Sequence, residues 1–408
     1  MAVATPGKSL FDRLTDPRIQ LGEPARLTDP VPDWLVFPCS QNLGFLDRVA
    51  ELPLASWLRS APAGARVLMD ASGEGKTHIP EFTQKLHGFL ASMGAGPGVG
   101  VYVTQDRTFR EDYLAYCAAN GIPPLLQVIT YDYYIRRLFS EFDPASPELF
   151  EHRLAAYLAR PAHRARRFVS LNLTPRPTKV LFLLRLLRDG LWSSGHISFG
   201  GFKRLKYTNS GSTFDRWRIT LIKLRGFRDL SEQLLPLIPE LDSFGEVLFG
   251  DIPRHEDSGE ILNDPIHHAA LTEYDSSWFT IVPESEMLNR PVRITEKPFK
   301  ALLNFHPLIM LGNPGSLQAI RDLGFSTFEG FFDERYDEEE DPRTRFDMVY
   351  AEVARLCALD EPALARLEQG ISERVVHNCR WGLTGLPARF RDEIDVALVD
   401  QILDVAAA

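Results

Sequence analysis

A hydroxyl, a carboxylate and an ammonium stand side by side at Thr295-Glu296-Lys297, and Pro298 follows them. Proline is tolerated only in the first turn of a helix, so the sequence places a helix start here. Thr295 suits the N-cap, where a side-chain oxygen accepts a backbone N–H. Glu296 and Lys297 then lie where unpaired N–H groups and the helix dipole favour an anion. Lys297 can add its charge to a phosphate, and Glu296 can accept from the two vicinal hydroxyls of a ribose. The plainer reading is an ordinary helix start with a solvated lysine. Spacing alone does not separate the two.

A second group is Asn172-Leu173-Thr174-Pro175-Arg176-Pro177. It leaves an apolar run and enters a helical one. Two prolines stiffen the loop, so Arg176 projects from a fixed base, and a guanidinium can grip two phosphate oxygens at once. A rigid turn with a surface arginine reads equally well. A third group, 312-GNPGS-316, follows a buried run and opens a helix, so its backbone could approach a ligand closely, with Ser316 as N-cap. It is not a dinucleotide fingerprint.

Four other stretches invite chemistry. The segment 70-DASGEGKT-77 ends like a phosphate-binding loop, but Asp70 stands where that loop needs glycine, and Pro80 intervenes before a helix. The same loop puts Glu74 at a strand's carboxyl end, where a carboxylate can act as general base. The acidic run 333-DERYDEEED-341 lacks the spaced oxygens and turn glycine of a hard-cation site, and reads as a solvated face. The basic run 159-ARPAHRARRF-168 reads as a solvated helix end, and His267 and His268 as structural or surface residues. No metal site is expected.

Elements must position these groups. From 34-WLVFPCS-40 the chain alternates apolar runs with amphipathic stretches; strands are expected at 66–71, 99–104 and 125–130, with helices at 80–94 and 108–121 between them. A helical connector over 144–167 leads to a second series. It has strands at 168–172, 278–284 and 308–312 and helices at 178–190 and 316–324. A strand-like run lies at 217–224, and helical tails run over 343–371 and 386–406. Alternating strands and helices mean parallel α/β sheets, whose ligands sit at the carboxyl ends of the strands. The expected division is 1–165, 166–375 and a tail 376–408 that returns toward the first domain.

The bulk numbers agree with an ordinary globular chain. It has 408 residues, 44% hydrophobic and 25% charged, long for one core and comfortable for two. A net charge of −10 argues against general nucleic-acid binding. Cys39, Cys117, Cys357 and Cys379 form no Cys-x-x-Cys pair, which suits buried thiols in a reducing compartment. The N-terminal residues lack the apolar core of a signal peptide, and the longest apolar run is too short to span a bilayer. A cytoplasmic protein is expected.

Read together, 294-ITEKPFKALLNFHPLIMLGNPGSLQAIRDLGF-325 resembles the donor-binding signature of fucosyltransferase-like glycosyltransferases of the GT-B fold. It looks closer still to a group of bacterial and phage glycosyltransferase-like proteins, which continue with a Gly-Phe strand and an acidic Tyr-Asp segment. This chain has Gly324-Phe325 and Tyr336-Asp337 in that order. The phrase FVSLNLTPRP resembles their phosphate-arginine strand, and the match covers residues 165–345. The resemblance implies two Rossmann-like domains facing a cleft. It implies that Arg176 and Lys297 hold a donor diphosphate, that Glu296 holds the ribose or sugar, and that Glu74 is the inverting base. Asn172, Thr295, Asn313 and Ser316 would line the donor site. The co-substrate would be a nucleotide-diphosphate sugar, with no separate cofactor. Two positions depart from the pattern: Arg293 stands where fucosyltransferases carry an aromatic residue, and Leu173 where the bacterial group carries arginine. The rivals are a catalytically idle glycosyltransferase-like binding module and a phosphotransferase using residues 70–77. The acceptor and the nucleotide base stay open.

Overall fold

The computed structural model describes residues 21–22, 34–38, 66–72, 77–92, 94–140, 147–202, 213–247 and 271–407. Cys39, Glu74, Lys76, His267 and His268 lie outside the described residues. The architecture is mixed α/β with two parallel sheets. The chain divides into two compact units. One contains residues 1–137, 290–293 and 388–408, and the other residues 138–289 and 294–387.

The first sheet has strands β1 (Leu21–Gly22), β2 (Trp34–Pro38), β3 (Arg66–Ala71), β4 (Gly100–Thr104) and β5 (Leu126–Thr130). They lie in chain order and are all parallel. Strand side chains alternate between two faces. Val67, Met69, Tyr102 and Val128 pack under the helices Pro80–Ser92 and Phe109–Asn120 through Phe82, Leu86, Phe109 and Tyr113. Leu68, Val101, Val103 and Ile129 point the other way, onto Leu398 and Ile402 of the helix Asp395–Ala407. That helix is tied down at Asp395, whose carboxylate accepts from the Tyr131 hydroxyl at 2.5 Å and from the Arg136 guanidinium at 3.0 Å.

The second sheet has β6 (Phe168–Asn172), β7 (Gly195–Phe199), β8 (Phe279–Pro283) and β9 (Leu308–Leu311), all parallel in the order β7-β6-β8-β9. From β6 the chain steps one way to β7 and then returns past β6 to β8. Crossovers therefore part at the carboxyl ends of β6 and β8, which in such sheets is where a crevice opens.

Several expectations are corrected. Residues 217–224 are not a strand, because Thr213–Ile222 is a helix. The alternation of Trp217, Ile219 and Leu221 suggested a strand, but of these only Trp217 and Leu221, four apart, are buried, while Ile219 is exposed. The 343–371 tail is two helices, Pro342–Cys357 and Glu361–Arg380, capped by Asp341 and Asp360 through the N–H groups of Thr344 and Ala363. The basic run is not simply solvated. Arg160 pairs with Asp275 at 2.8 Å and donates to the Asn304 and Phe305 carbonyls. Arg164 is buried over the Trp278 ring and pairs with Glu368. The acidic run is not simply a solvated face either, since Glu334 and Asp337 are buried.

Candidate functional site

The carboxyl end of β6 is fixed by its own polar groups. The Asn172 N–H donates to Ser198 Oγ on β7 at 2.9 Å, and its side-chain amide donates to Ser170 Oγ at 3.0 Å. Asn172 is buried and holds two strand ends together. Four residues on, Arg176 is extended, as a residue before proline must be, and Pro177 opens the twelve-residue helix Pro177–Arg188. Arg176 is exposed, and its guanidinium makes no hydrogen bond or ion pair among the described residues.

That helix is buried nearly all round, through Val180, Leu181, Phe182, Leu183, Leu184 and Leu186. Lys179 lies in its first turn and is only 3% exposed. It has no hydrogen-bond or ion-pair partner among the described residues. Burial and the Lys297 ammonium bring Lys179 down to about 7, with Arg176 adding to the effect. The carboxylates of Glu284 and Glu296 oppose that shift. One set of charges thus converges from the loops after β6 and β8.

Glu284 directly follows β8, and its buried carboxylate accepts the Thr295 hydroxyl at 2.8 and 2.9 Å. Thr295 Oγ1 in turn accepts from Lys297 Nζ at 3.0 Å. Lys297 Nζ also lies 3.1 Å from Glu296 Oε1 and 3.9 Å from Glu284 Oε2. Burial pushes Glu296 up, but the ammonium groups of Lys297 and Lys300, with a backbone N–H, outweigh it and hold the acid at about 2. Glu296 is therefore a carboxylate at neutral pH, and it can accept from a ligand hydroxyl.

Two details differ from the sequence reading. Thr295 is not the N-cap: Glu296 holds that position without a capping side chain, and the helix Lys297–Leu302 has only six residues. From one residue earlier, the Thr295 hydroxyl still accepts the Lys297 N–H at 3.4 Å, while it donates to the charged acceptor Glu284. Ser316 is not an N-cap either. Gly315, at φ 77°, precedes the helix Ser316–Asp322, and Ser316 Oγ donates to the Asn313 carbonyl at 2.7 Å. The capping carboxylate comes from far along the chain. Asp337 accepts the N–H groups of Leu317 and Gln318 at 2.8 and 3.0 Å. Arg345, almost wholly buried, donates to the carbonyls of Gly312 and Met287 and fixes the same turn. A Cβ at Gly312 would stand 3.5 Å from Glu284 Cγ, so the turn after β9 abuts the Glu284 side chain.

Arg176, Glu296 and Lys297 thus all act on Lys179, and Thr295 bridges Lys297 and Glu284. Asn313 and Ser316 form the adjoining turn. Lys179 and Glu284 were missed. Their signals were a lone ammonium at the head of an apolar helix and a carboxylate one residue past a buried strand. In the first unit, Asp70 closes its own turn by accepting the Ser72 N–H at 3.0 Å, and among the described residues the next helix starts at Pro80. Among the described residues no group of three or more His, Cys, Asp or Glu could hold a metal ion. Likewise none of the described helices is long and apolar enough to cross a membrane. Comparison of the chain with protein-family models, with curated proteins and with solved structures finds no match.

Proposed function

We propose that this chain is a glycosyltransferase that moves a sugar from a nucleotide-diphosphate donor to an acceptor, with its two α/β units in the GT-B arrangement. The observation that carries this reading is the gathering of Arg176, Lys179 and Lys297 with Glu284 and Glu296 where the crossovers of the second sheet part. Three cations suit a diphosphate, and two carboxylates suit the hydroxyls of a ribose or hexose. In the transfer the acceptor oxygen bonds to the anomeric carbon. The bond from that carbon to the phosphate oxygen breaks, and its electron pair goes to the diphosphate. Fixed cations and the N-terminus of the helix Pro177–Arg188 stabilise that growing charge, so the reaction needs no added metal ion. A carboxylate takes the acceptor's proton on the opposite face, giving inversion, and Glu74 is the candidate from the sequence.

The test is thermal shift against UDP-, GDP-, ADP- and dTDP-sugars, with wild type, Arg176→Ala and Lys297→Ala in parallel. Stabilisation by one nucleotide family, weakened at least tenfold in both variants, is expected. No response to any of them would sink the reading. Binding without transfer to any glycan, peptide or small-molecule acceptor would leave an idle binding module instead.

A further inference from the structure

Lys179 is an unusual residue to bury. It is only 3% exposed and has no hydrogen-bond or ion-pair partner among the described residues, and a lysine held so largely out of water sheds its proton more readily. The helix Pro177–Arg188 has apolar residues to spare, yet it places this amine in its first turn, beside the exposed Arg176. The charged groups that act on it are Lys297 and Arg176, both repelling, and Glu284 and Glu296, both attracting. The carboxylates are already engaged, Glu284 by Thr295 and Glu296 by Lys297. What the amine lacks is an anion of its own.

We propose that Lys179, in the first turn of the helix Pro177–Arg188, is the cation on which a phosphate-type dianion seats. This rests on the reading of the site as one for a diphosphate, and adds to it a named contact and a proton balance. Burial and the Lys297 ammonium lower this amine to about 7, so the free site can still take up a proton near neutral pH. An anion between Lys179, Arg176 and Lys297 favours the charged form and draws the proton from solvent. By linkage, binding weakens as pH rises through 7 to 9. A lysine that served only to fill space would show neither effect.

The full chain, labelled with 13C,15N-lysine, would be titrated by NMR from pH 6 to 10 with and without inorganic sulfate, whose double charge is constant over this range. The expected result is a Lys179 signal with a midpoint near 7 that moves above 8.5 with saturating sulfate. Lys179→Met should bind sulfate at least tenfold more weakly at pH 6.5. It should also melt higher than wild type at pH 6, because a buried charge is replaced by an apolar chain of similar length. A Lys179 signal charged throughout, or one that sulfate leaves unmoved while Arg176→Ala abolishes binding, would overturn the inference and leave the donor-site reading standing. Sulfate coupling to Lys179 with no nucleotide-sugar binding would do the reverse.

Discussion

The carboxyl ends of the two sheets are built from similar polar residues and do opposite things with them. In the first sheet the groups at the ends of β3 and β4 close on near neighbours in sequence. Asp70 accepts from Ser72, Thr104 Oγ1 accepts the Asp106 N–H at 3.1 Å, and Asp106 Oδ1 accepts the Thr108 N–H and hydroxyl at 3.0 Å each. In the second, charges from segments more than a hundred residues apart converge, and Arg176 and Lys179 stay without partners among the described residues. Strand order explains the difference. The first sheet runs in chain order, so its crossovers do not part, whereas the second reverses between β6 and β8. A reversal leaves strand ends with no connection passing over them, and a ligand can enter there.

Three measurements would sharpen or break this contrast, beginning with the largest effect. Asp337→Ala removes the buried carboxylate that serves the N–H groups of Leu317 and Gln318. It should destabilise the second unit by about 3 kcal/mol in urea denaturation. A loss below ~1 kcal/mol would mean that the turn after β9 is not held from a distance. The two units are to be followed as separate transitions.

Asp106 probes the first sheet. Burial pushes its carboxyl up to about 6, and its Oδ2 has no hydrogen bond among the described residues. Between pH 4 and 6 the folded chain keeps a proton that an unfolded aspartate, near ~3.9, has released. The stability that Asp106 supplies is therefore complete below pH 4 and is lost as pH rises through 6. Asp106→Asn is neutral throughout. It should match wild type at pH 3.5 and exceed it by about 2 kcal/mol at pH 7.5. An equal gap at both pH values would show that the carboxyl does not titrate in this range. Sulfate binding should be unchanged in this variant, since the first sheet's edge is closed on itself.

The smallest effect is expected at Tyr131→Phe. It deletes one hydrogen bond to Asp395 and leaves the Arg136 pair, so the first unit should lose about 1 kcal/mol. Hydrogen exchange along the helix Asp395–Ala407 would report it. An unchanged exchange pattern would assign the anchoring to Arg136 alone.

Much of the second sheet was legible. Its strands are short runs such as FVSLN and LIML, buried on both faces and bounded by Pro, Gly and Asn, and that pattern survives any tertiary context. The helix starts at Pro177 and Pro342 were legible for the same local reason, since proline fits only the first turn. Arg176, Glu296 and Lys297 could be singled out because their loops are punctuated. Thr213–Ile222 was not legible, because alternation and four-residue spacing share Trp217 and Leu221, and only packing decides between them. Nor was the burial of Arg164 and Asp337, because a charged run looks alike whether its partners are water or a distant carboxylate or N–H.

By itself, then, the sequence determined the alternation of strands and helices and the loops in which cations and carboxylates stand. These follow from backbone geometry and from the period of apolar residues, which act over a few positions. Strand order was decided only by the tertiary structure, and with it the meeting of Lys179 with Lys297 and of Thr295 with Glu284. A charge's partner depends on which strand ends lie side by side. No local signal encodes that adjacency, and burial then sets how strongly each group holds its proton.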